Sequence, residues 1–338
     1  MNTHSSGRDI RRPRSRRPGP FRPPAPRCVL PLLLLAASLA GCQRQETAAP
    51  RAAGKPRVAL VMKSLANEFF LTMENGAQAH QQAHAADYDL LSNGIKDELD
   101  VSKQIELVEQ MIAQRVDAIV IAPADSRALV PACLKAQQAG IIVVNIDNQF
   151  DAAVLAQSGA KFPFVGPDNR KGAKMVGAYL ARHLKPGAPV AIIEGVPSAF
   201  NGVQRQLGFE EAMNAAGMKI VSSQSGYWET DKANQVVAAL ITEHPDLQAV
   251  LCANDSMALG AVAALRAAGK LGSVKVVGYD NIAAVQQLLR EGKVLATADQ
   301  HADRLAVFGI EYALEMLRTK SAPADRETPV DLVTAPAQ

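Results

Sequence analysis

Val58-Ala-Leu-Val-Met-Lys63-Ser-Leu-Ala-Asn67-Glu-Phe69-Phe70 is the stretch whose reading decides the fold. A short apolar run that ends in a turn reads as a buried strand. The residues that follow, Glu68 to Gly76, have helical spacing, and Asn67 stands where an N-cap is expected. The strand therefore delivers polar and aromatic side chains to a helix N-terminus. In open α/β sheets, ligands sit at the carboxyl ends of the strands.

Outward from this stretch the same unit recurs. Strands are expected over 87–92, 116–123 and 141–148, with helices over 101–114 and 128–139 between them. The first of these helices puts Ile105, Val108, Met111 and Ile112 on one stripe, and the second ends at Gly140. After 164–168 the alternation restarts, with helices over 169–183, 202–216, 231–242 and 258–268. The strands between them are expected over 190–194, 219–222, 249–255 and 274–280. A short strand over 294–300, a long helix over 303–317 and a final strand over 329–333 complete the pattern. Strands alternating with helices imply α/β architecture, with parallel sheets and right-handed crossovers.

The 338 residues suffice for a leader and two α/β domains, and 48% hydrophobic with 20% charged residues is a globular composition. Formal net charge is +3, but the excess lies early, in Arg8, Arg11, Arg12, Arg14, Arg16, Arg17, Arg22 and Arg27. A basic run of this kind can serve as a nucleic-acid arm. Here it precedes the apolar run from Cys28 to Cys42, so that a basic region, an apolar region and small residues make an export signal. The apolar run is too short for a comfortable membrane span. Leu39-Ala40-Gly41-Cys42 resembles the lipobox of bacterial lipoproteins, which would make Cys42 the lipidated first residue of the mature chain. The alternative is ordinary cleavage near Ala40 with Cys42 left as a free thiol. The true start and a twin-arginine route through Arg16-Arg17 stay open. Residues 43–56 read as a flexible tether.

Cys133 and Cys252 fall within apolar patterns in different halves of the chain, where buried free thiols are expected rather than a disulfide. His80 and His84 share a helix face in a Gln- and Ala-rich context that reads as solvated surface, and no metal site is expected.

Chemistry-bearing residues recur where strands end: Lys63 and Asn67, Asp147, Asn254, Asp280 and Gln300. Arg205 lies near a helix start, and Trp228 is the only tryptophan. These residue types suit a neutral polyol. Asp and Asn accept or donate in pairs, Arg and Lys bridge hydroxyls, and aromatic faces cover the C–H faces of a sugar ring. Each residue also has a plainer role. An Asp or Asn at a strand end is commonly a turn or helix cap, Phe69, Phe70 and Trp228 are candidates for the core, and Arg205 for the surface. What singles them out is their shared topological location.

Taken together, Leu65-Ala-Asn67-Glu-Phe69-Phe70, Asn145-Ile-Asp147, Asp168-Asn169, Arg205-Gln-Leu-Gly208-Phe209, Cys252-Ala-Asn254-Asp255-Ser-Met-Ala-Leu-Gly260, Val276-Val-Gly-Tyr-Asp280 and Ala296-Thr-Ala-Asp-Gln300 resemble the ribose- and allose-binding group of periplasmic ABC-transporter proteins. The resemblance covers essentially the whole chain after the signal. It implies the type I periplasmic binding protein fold, with two doubly wound parallel-sheet lobes joined by a three-crossing hinge. Residues 1–42 would be the signal peptide with lipobox, 57–164 plus 301–330 one lobe, and 165–300 plus 331–338 the other. The long helix near the C-terminus would dock back on the first half.

By the same resemblance the ligand-binding residues are Lys63, Asn67, Phe69, Phe70, Asp147, Asn148, Arg205, Trp228, Asn254, Asp280 and Gln300. Two of them depart from the ribose pattern. Lys63 stands where ribose binders tend to carry Ser and is similar to the allose branch, and Asn148 stands where ribose binders carry Arg. These departures shift the expectation from ribose towards a hexose such as allose, with a pentose still open. The implied function is capture of a neutral monosaccharide between the lobes by hinge closure and its presentation to a membrane permease or, in some relatives, a chemoreceptor. No cofactor, metal or nucleic acid and no catalysis are implied. The chain would be a monomer, exported to the periplasm or cell surface and lipid-anchored through Cys42.

Three other classes fit less well. Lac-repressor-type regulators share the two-lobe fold but carry a helix-turn-helix where this chain has a Pro-rich export signal. A Rossmann dehydrogenase needs a Gly-rich turn after the first strand, and Met62-Lys63-Ser64-Leu65-Ala66-Asn67 contains no glycine. There is no P-loop and no GxSxG elbow. Asp147 and Asp280 are better placed to hold hydroxyls than to act as a glycosidase pair. A sensor for a signalling molecule such as a furanose autoinducer keeps the fold and is the alternative function.

Overall fold

The computed structural model describes residues 54–321 and 324–335. The leader over 1–42, Cys42 and the tether up to residue 53 lie outside the described residues.

The fold is built on β1 (Arg57–Ser64), whose residues from Val58 to Met62 are all fully shielded from solvent. Alternate side chains leave a strand on opposite faces. Val58, Leu60 and Met62 enter one apolar cluster, while Ala59 and Val61 enter another on the opposite face. A strand buried on both faces belongs inside a parallel sheet with helices on either side. Those layers follow in chain order: α1 (Glu68–Ala83), β2 (Asp89–Ile95), α2 (Val101–Ala113), β3 (Ala118–Ile121), α3 (Val130–Gln138), β4 (Ile142–Ile146), α4 (Ala152–Ser158) and β5 (Phe164–Pro167). The sheet order is β2-β1-β3-β4-β5, all parallel.

The second sheet repeats the plan through α5 (Asn169–Ala181), β6 (Pro189–Glu194), α6 (Phe200–Ala215), β7 (Lys219–Ser225), α7 (Thr230–Glu243), β8 (Ala249–Cys252), α8 (Asp255–Ala267), β9 (Lys275–Val277), α9 (Ala283–Arg290) and β10 (Ala296–Asp299). Its order is β7-β6-β8-β9-β10. In both sheets the order reverses around the first strand, which opens a crevice at the carboxyl ends. The side chain of Gln104 holds that crevice open in the first sheet. Its amide donates to the carbonyls of Met62 and Ala122 and accepts from the amide of Ala124, tying the ends of β1 and β3 together.

The chain passes between the sheets three times. It leaves the first after Pro167 and the second after Asp299, entering α10 (Ala302–Thr319), which packs against α1, β3 and β4. β11 (Arg326–Thr328) then adds to β5, and β12 (Asp331–Thr334) crosses to pair antiparallel with β10. The strand expected over 329–333 is β12, which starts at Asp331, and β11 just before it, in the other sheet, was not anticipated. Pro329 separates them, because its ring fixes φ and removes a ladder donor. Helices α4 and α9 were not anticipated. α4 has no buried residue, so it lacks the amphipathic stripe that announces a helix, and α9 is only 8 residues long.

Cys133 and Cys252 are buried free thiols, and burial raises both above the usual thiol range. His80 is not solvated surface. Its ring stacks on His84 at 4.2 Å, pairs with the Tyr88 hydroxyl at 2.9 Å and faces Glu311 of α10 at 3.4 Å.

α10 lies close to its neighbours at two glycines. A Cβ at Gly76 would fall 2.0 Å from the Asp303 carbonyl oxygen, and one at Gly309 would fall 2.7 Å from Ile146. Alanine in a helix interior normally stabilises relative to glycine. Here the sign should reverse. Gly76→Ala is expected to lower stability by about 1–3 kcal/mol through forced separation of α1 and α10, read as a lower urea midpoint at unchanged slope.

Candidate functional site

Each sheet brings one buried cation–carboxylate pair to the crevice. At the end of β1, Lys63 Nζ lies 2.9 Å from Oδ2 of Asp147, which follows β4. From the second sheet, Arg205 on α6 faces Asp280, which follows β9, with Nη1 3.3 Å from Oδ1. All four side chains are at most 4% exposed. The Arg205 guanidinium is fixed on three further sides. Its Nε donates to Asn169 Oδ1 at 2.8 Å, its Nη1 to the Ala253 carbonyl at 2.9 Å, and its plane lies 3.8 Å from the Tyr279 ring centroid. Gln300, after β10, donates to Asp280 Oδ1 at 2.8 Å.

Local rules place the remaining groups. Asn67 caps α1 by accepting from the amide of Phe69, and its Nδ2 donates to Glu98 Oε1 at 3.2 Å. Capping turns Phe69 and Phe70 inward as an edge-on pair with centroids 5.1 Å apart. Asn254 caps α8 and donates to the Trp228 carbonyl at 3.2 Å. The Trp228 ring lies against Gly195, where a Cβ would fall 2.0 Å from it. Lys63 Nζ is 5.6 Å from the Phe70 ring and 5.8 Å from the Trp228 ring.

Backbone strain is concentrated at the same point. Asp147, Trp228 and Asp280 have φ of 60°, 69° and 120°. Such conformations cost of order 1–3 kcal/mol each and persist only where the surroundings over-determine them.

These side chains line one cavity. Ten of the residues singled out in the sequence line it: Lys63, Asn67, Phe69, Phe70, Asp147, Arg205, Trp228, Asn254, Asp280 and Gln300. Asn148 does not. It is fully buried one residue beyond Asp147, where its amide donates to the Pro123 carbonyl. Glu98 and Asn201 also line the cavity and were not anticipated. Glu98 sits in a charged stretch, Lys96-Asp97-Glu98, that reads as solvated surface, although its place just after β2 was a usable signal. Asn201 lies one helical turn before Arg205, a spacing that puts both on one face.

The cavity is short of hydrogen-bond donors. Glu98 Oε2, Asn201 Oδ1 and Gln300 Oε1 are buried without a partner, and Asp147 Oδ2 has Lys63 as a charge partner but no aligned hydrogen bond. A buried acceptor left unpaired costs about 1–3 kcal/mol. Three such atoms around one space are suited to a molecule rich in hydroxyl donors. Burial pushes the Glu98 carboxyl up to about 7, against the opposing pull of Lys63 and the Asn67 amide. Burial also holds Asp280 well above the usual carboxylate range despite Arg205. Among the described residues no group of three or more His, Cys, Asp and Glu side chains could hold a metal ion.

Residues 58–321 match the family model described as a periplasmic binding protein domain. Over 286 residues, 83% of this chain and 90% of that protein, the sequence is 63% identical to a D-ribose/D-allose-binding protein of Pseudomonas aeruginosa. A crystal structure of an ABC-transporter solute-binding protein from Burkholderia multivorans superposes with a TM-score of 0.82 at 60% identity, covering 83% of this chain and all of that one. Its ligand, of unknown identity, is represented as alpha-D-erythrofuranose. A solute-binding protein from Actinobacillus succinogenes with bound D-allose matches with a TM-score of 0.78 at 36% identity, over 83% of this chain and 98% of that one.

A carboxyl that titrates near 7 when folded and at 4.5 in the ordinary state binds more protons folded than unfolded between those values. Stability therefore falls as pH rises through that window. Asp255, pushed up to about 7 by burial, adds to the same fall. Glu98→Gln removes one contribution and leaves those of the other buried carboxyls. It is expected to raise stability at about pH 8 by up to ~3 kcal/mol and to leave it nearly unchanged at about pH 4, by urea unfolding at both.

Proposed function

Because the chain belongs to the periplasmic binding protein family, we propose that it is the substrate-binding component of a sugar ABC importer. It captures a neutral monosaccharide, an aldohexose such as allose or a pentose such as ribose, between its two lobes. Hinge closure about the connections after Pro167, after Asp299 and between β11 and β12 buries the sugar, and the closed form is presented to a membrane permease. The protein performs no reaction on the sugar. It works as an exported monomer, anchored through a lipid on Cys42.

The observation that supports this reading best is the set of unpaired acceptors in the cavity, on Glu98, Asn201 and Gln300. Sugar hydroxyls supply the missing donors, and the Lys63 and Arg205 cations donate to hydroxyl or ring oxygens in return. Phe69, Phe70 and Trp228 supply the apolar walls for the C–H faces. Lys63 and the absence of an Arg after Asp147 favour a hexose.

Titration of the purified protein with D-allose, D-ribose and other neutral sugars tests the assignment. Trp228 lines the cavity and is the only tryptophan, so its emission should change on binding. A sugar at ~100 times its Kd should add about 2.7 kcal/mol of stability. Asp147→Ala leaves Lys63 buried without its partner and should weaken binding at least ~30-fold. A folded protein that responds to none of the sugars would contradict the assignment.

A further inference from the structure

The first backbone amides of a helix have no intrahelical acceptor, and a Ser, Thr, Asp or Asn at the N-cap normally supplies one. Three helices of the second lobe, α6, α7 and α9, lack that residue, and two of them meet the first lobe at their start. α6 has Ala199 at its N-cap and α9 has Ile282, and neither makes a side-chain cap. Their first amides are nonetheless paired, by side chains of the first lobe. Phe200 N donates to Ser126 Oγ at 2.9 Å and Asn201 N to Asn148 Oδ1 at 3.1 Å. On the far side, Ala283 N donates to Glu68 Oε1 at 2.8 Å.

The acceptors at α6 are pre-aimed. The Asn148 amide nitrogen donates to the Pro123 carbonyl at 2.8 Å, which turns Oδ1 towards α6. Asn145 holds the Asn148 carbonyl at 2.8 Å, and the Ser126 hydroxyl donates to Asn148 Oδ1 at 3.3 Å. Ser126 N also donates to the Ser198 carbonyl at 3.2 Å, just before the helix. Ser126, Asn148 and Asn201 are all buried. α6 is also the helix that carries Asn201 and Arg205 to the cavity.

We infer that Ser126, Asn148 and Glu68 are positioning residues for ligand capture, supplying in closure the N-terminal caps that α6 and α9 lack. They strengthen the closed form and hold α6 in register while lying outside the cavity wall. Asn148 thus serves the site without touching the sugar. The inference rests on the proposed hinge closure. Opening of the lobes hands these amides to water, so the caps act on the escape of the ligand more than on its entry.

The test compares wild type with Ser126→Ala and Glu68→Ala by stopped-flow Trp228 fluorescence with D-allose and D-ribose, alongside melting temperatures with and without sugar. Loss of a cap acceptor should speed dissociation about tenfold in Ser126→Ala and less in the half-buried Glu68→Ala, with association unchanged. The sugar-free melting temperature should hold, because the caps belong to the closed form. Unchanged dissociation in both variants overturns the inference. So does a sugar-free melting temperature that falls as far as the sugar-bound one, which marks a role local to the first lobe. If wild type binds neither sugar, the proposed function fails separately. The caps are then judged by the same dissociation measurement with D-fucose, D-tagatose or myo-inositol: faster release from Ser126→Ala supports them, and equal release overturns them.

Discussion

Two buried ion pairs in one cavity, Lys63–Asp147 and Arg205–Asp280, set the terms for the rest of this structure. Removing a charged side chain from water costs several kcal/mol, and attraction within the pair repays it only with good geometry and further hydrogen bonds. A pair of this kind is a poor device for stability, since well-packed apolar residues serve as well or better. Its value lies in what it offers a guest: fixed donors and acceptors that need no reorganisation when a hydroxyl arrives. Each lobe supplies one pair, so the complete set exists only where the two lobes meet.

The scaffold is arranged to hold that set. The order reversal in each sheet opens a crevice at the strand ends, and Gln104 ties β1 to β3 at the first of these. Strained backbone at Asp147, Trp228 and Asp280 aims their side chains, with the cost carried by the packed strands behind them. Gly195 gives the Trp228 ring its place, and Tyr279 lies under the Arg205 guanidinium. The carboxyl of Glu98 is pushed up to about 7 for the same physical reason that its Oε2 is unpaired: it is buried with too few donors.

Much of this was legible in the sequence, and the exceptions have physical causes. Inner parallel strands are continuous apolar runs and announce themselves, as β1, β3 and β8 do. The edge strands β2 and β7 were read short, because Ser92-Asn-Gly and Ser223-Gln-Ser carry the polarity of a half-exposed edge. Strand-end position located most of the cavity wall, since it is a property of topology that survives without coordinates. Asn148 was assigned to the site by resemblance alone, and a one-residue step past a strand places it in the loop behind the cavity. Glu98 was missed because burial of an acidic residue depends on a neighbouring element, here the Asn67 cap, rather than on its own local pattern.

The most direct measurement is a crystal structure of the protein grown with D-allose. Sugar hydroxyls are expected within hydrogen-bond distance of Glu98 Oε2, Asn201 Oδ1 and Gln300 Oε1, with the ring between the Phe70 and Trp228 side chains. A sugar bound elsewhere, or one in the cavity that leaves those three oxygens unpaired, would contradict the claim that the buried acceptors exist to receive it.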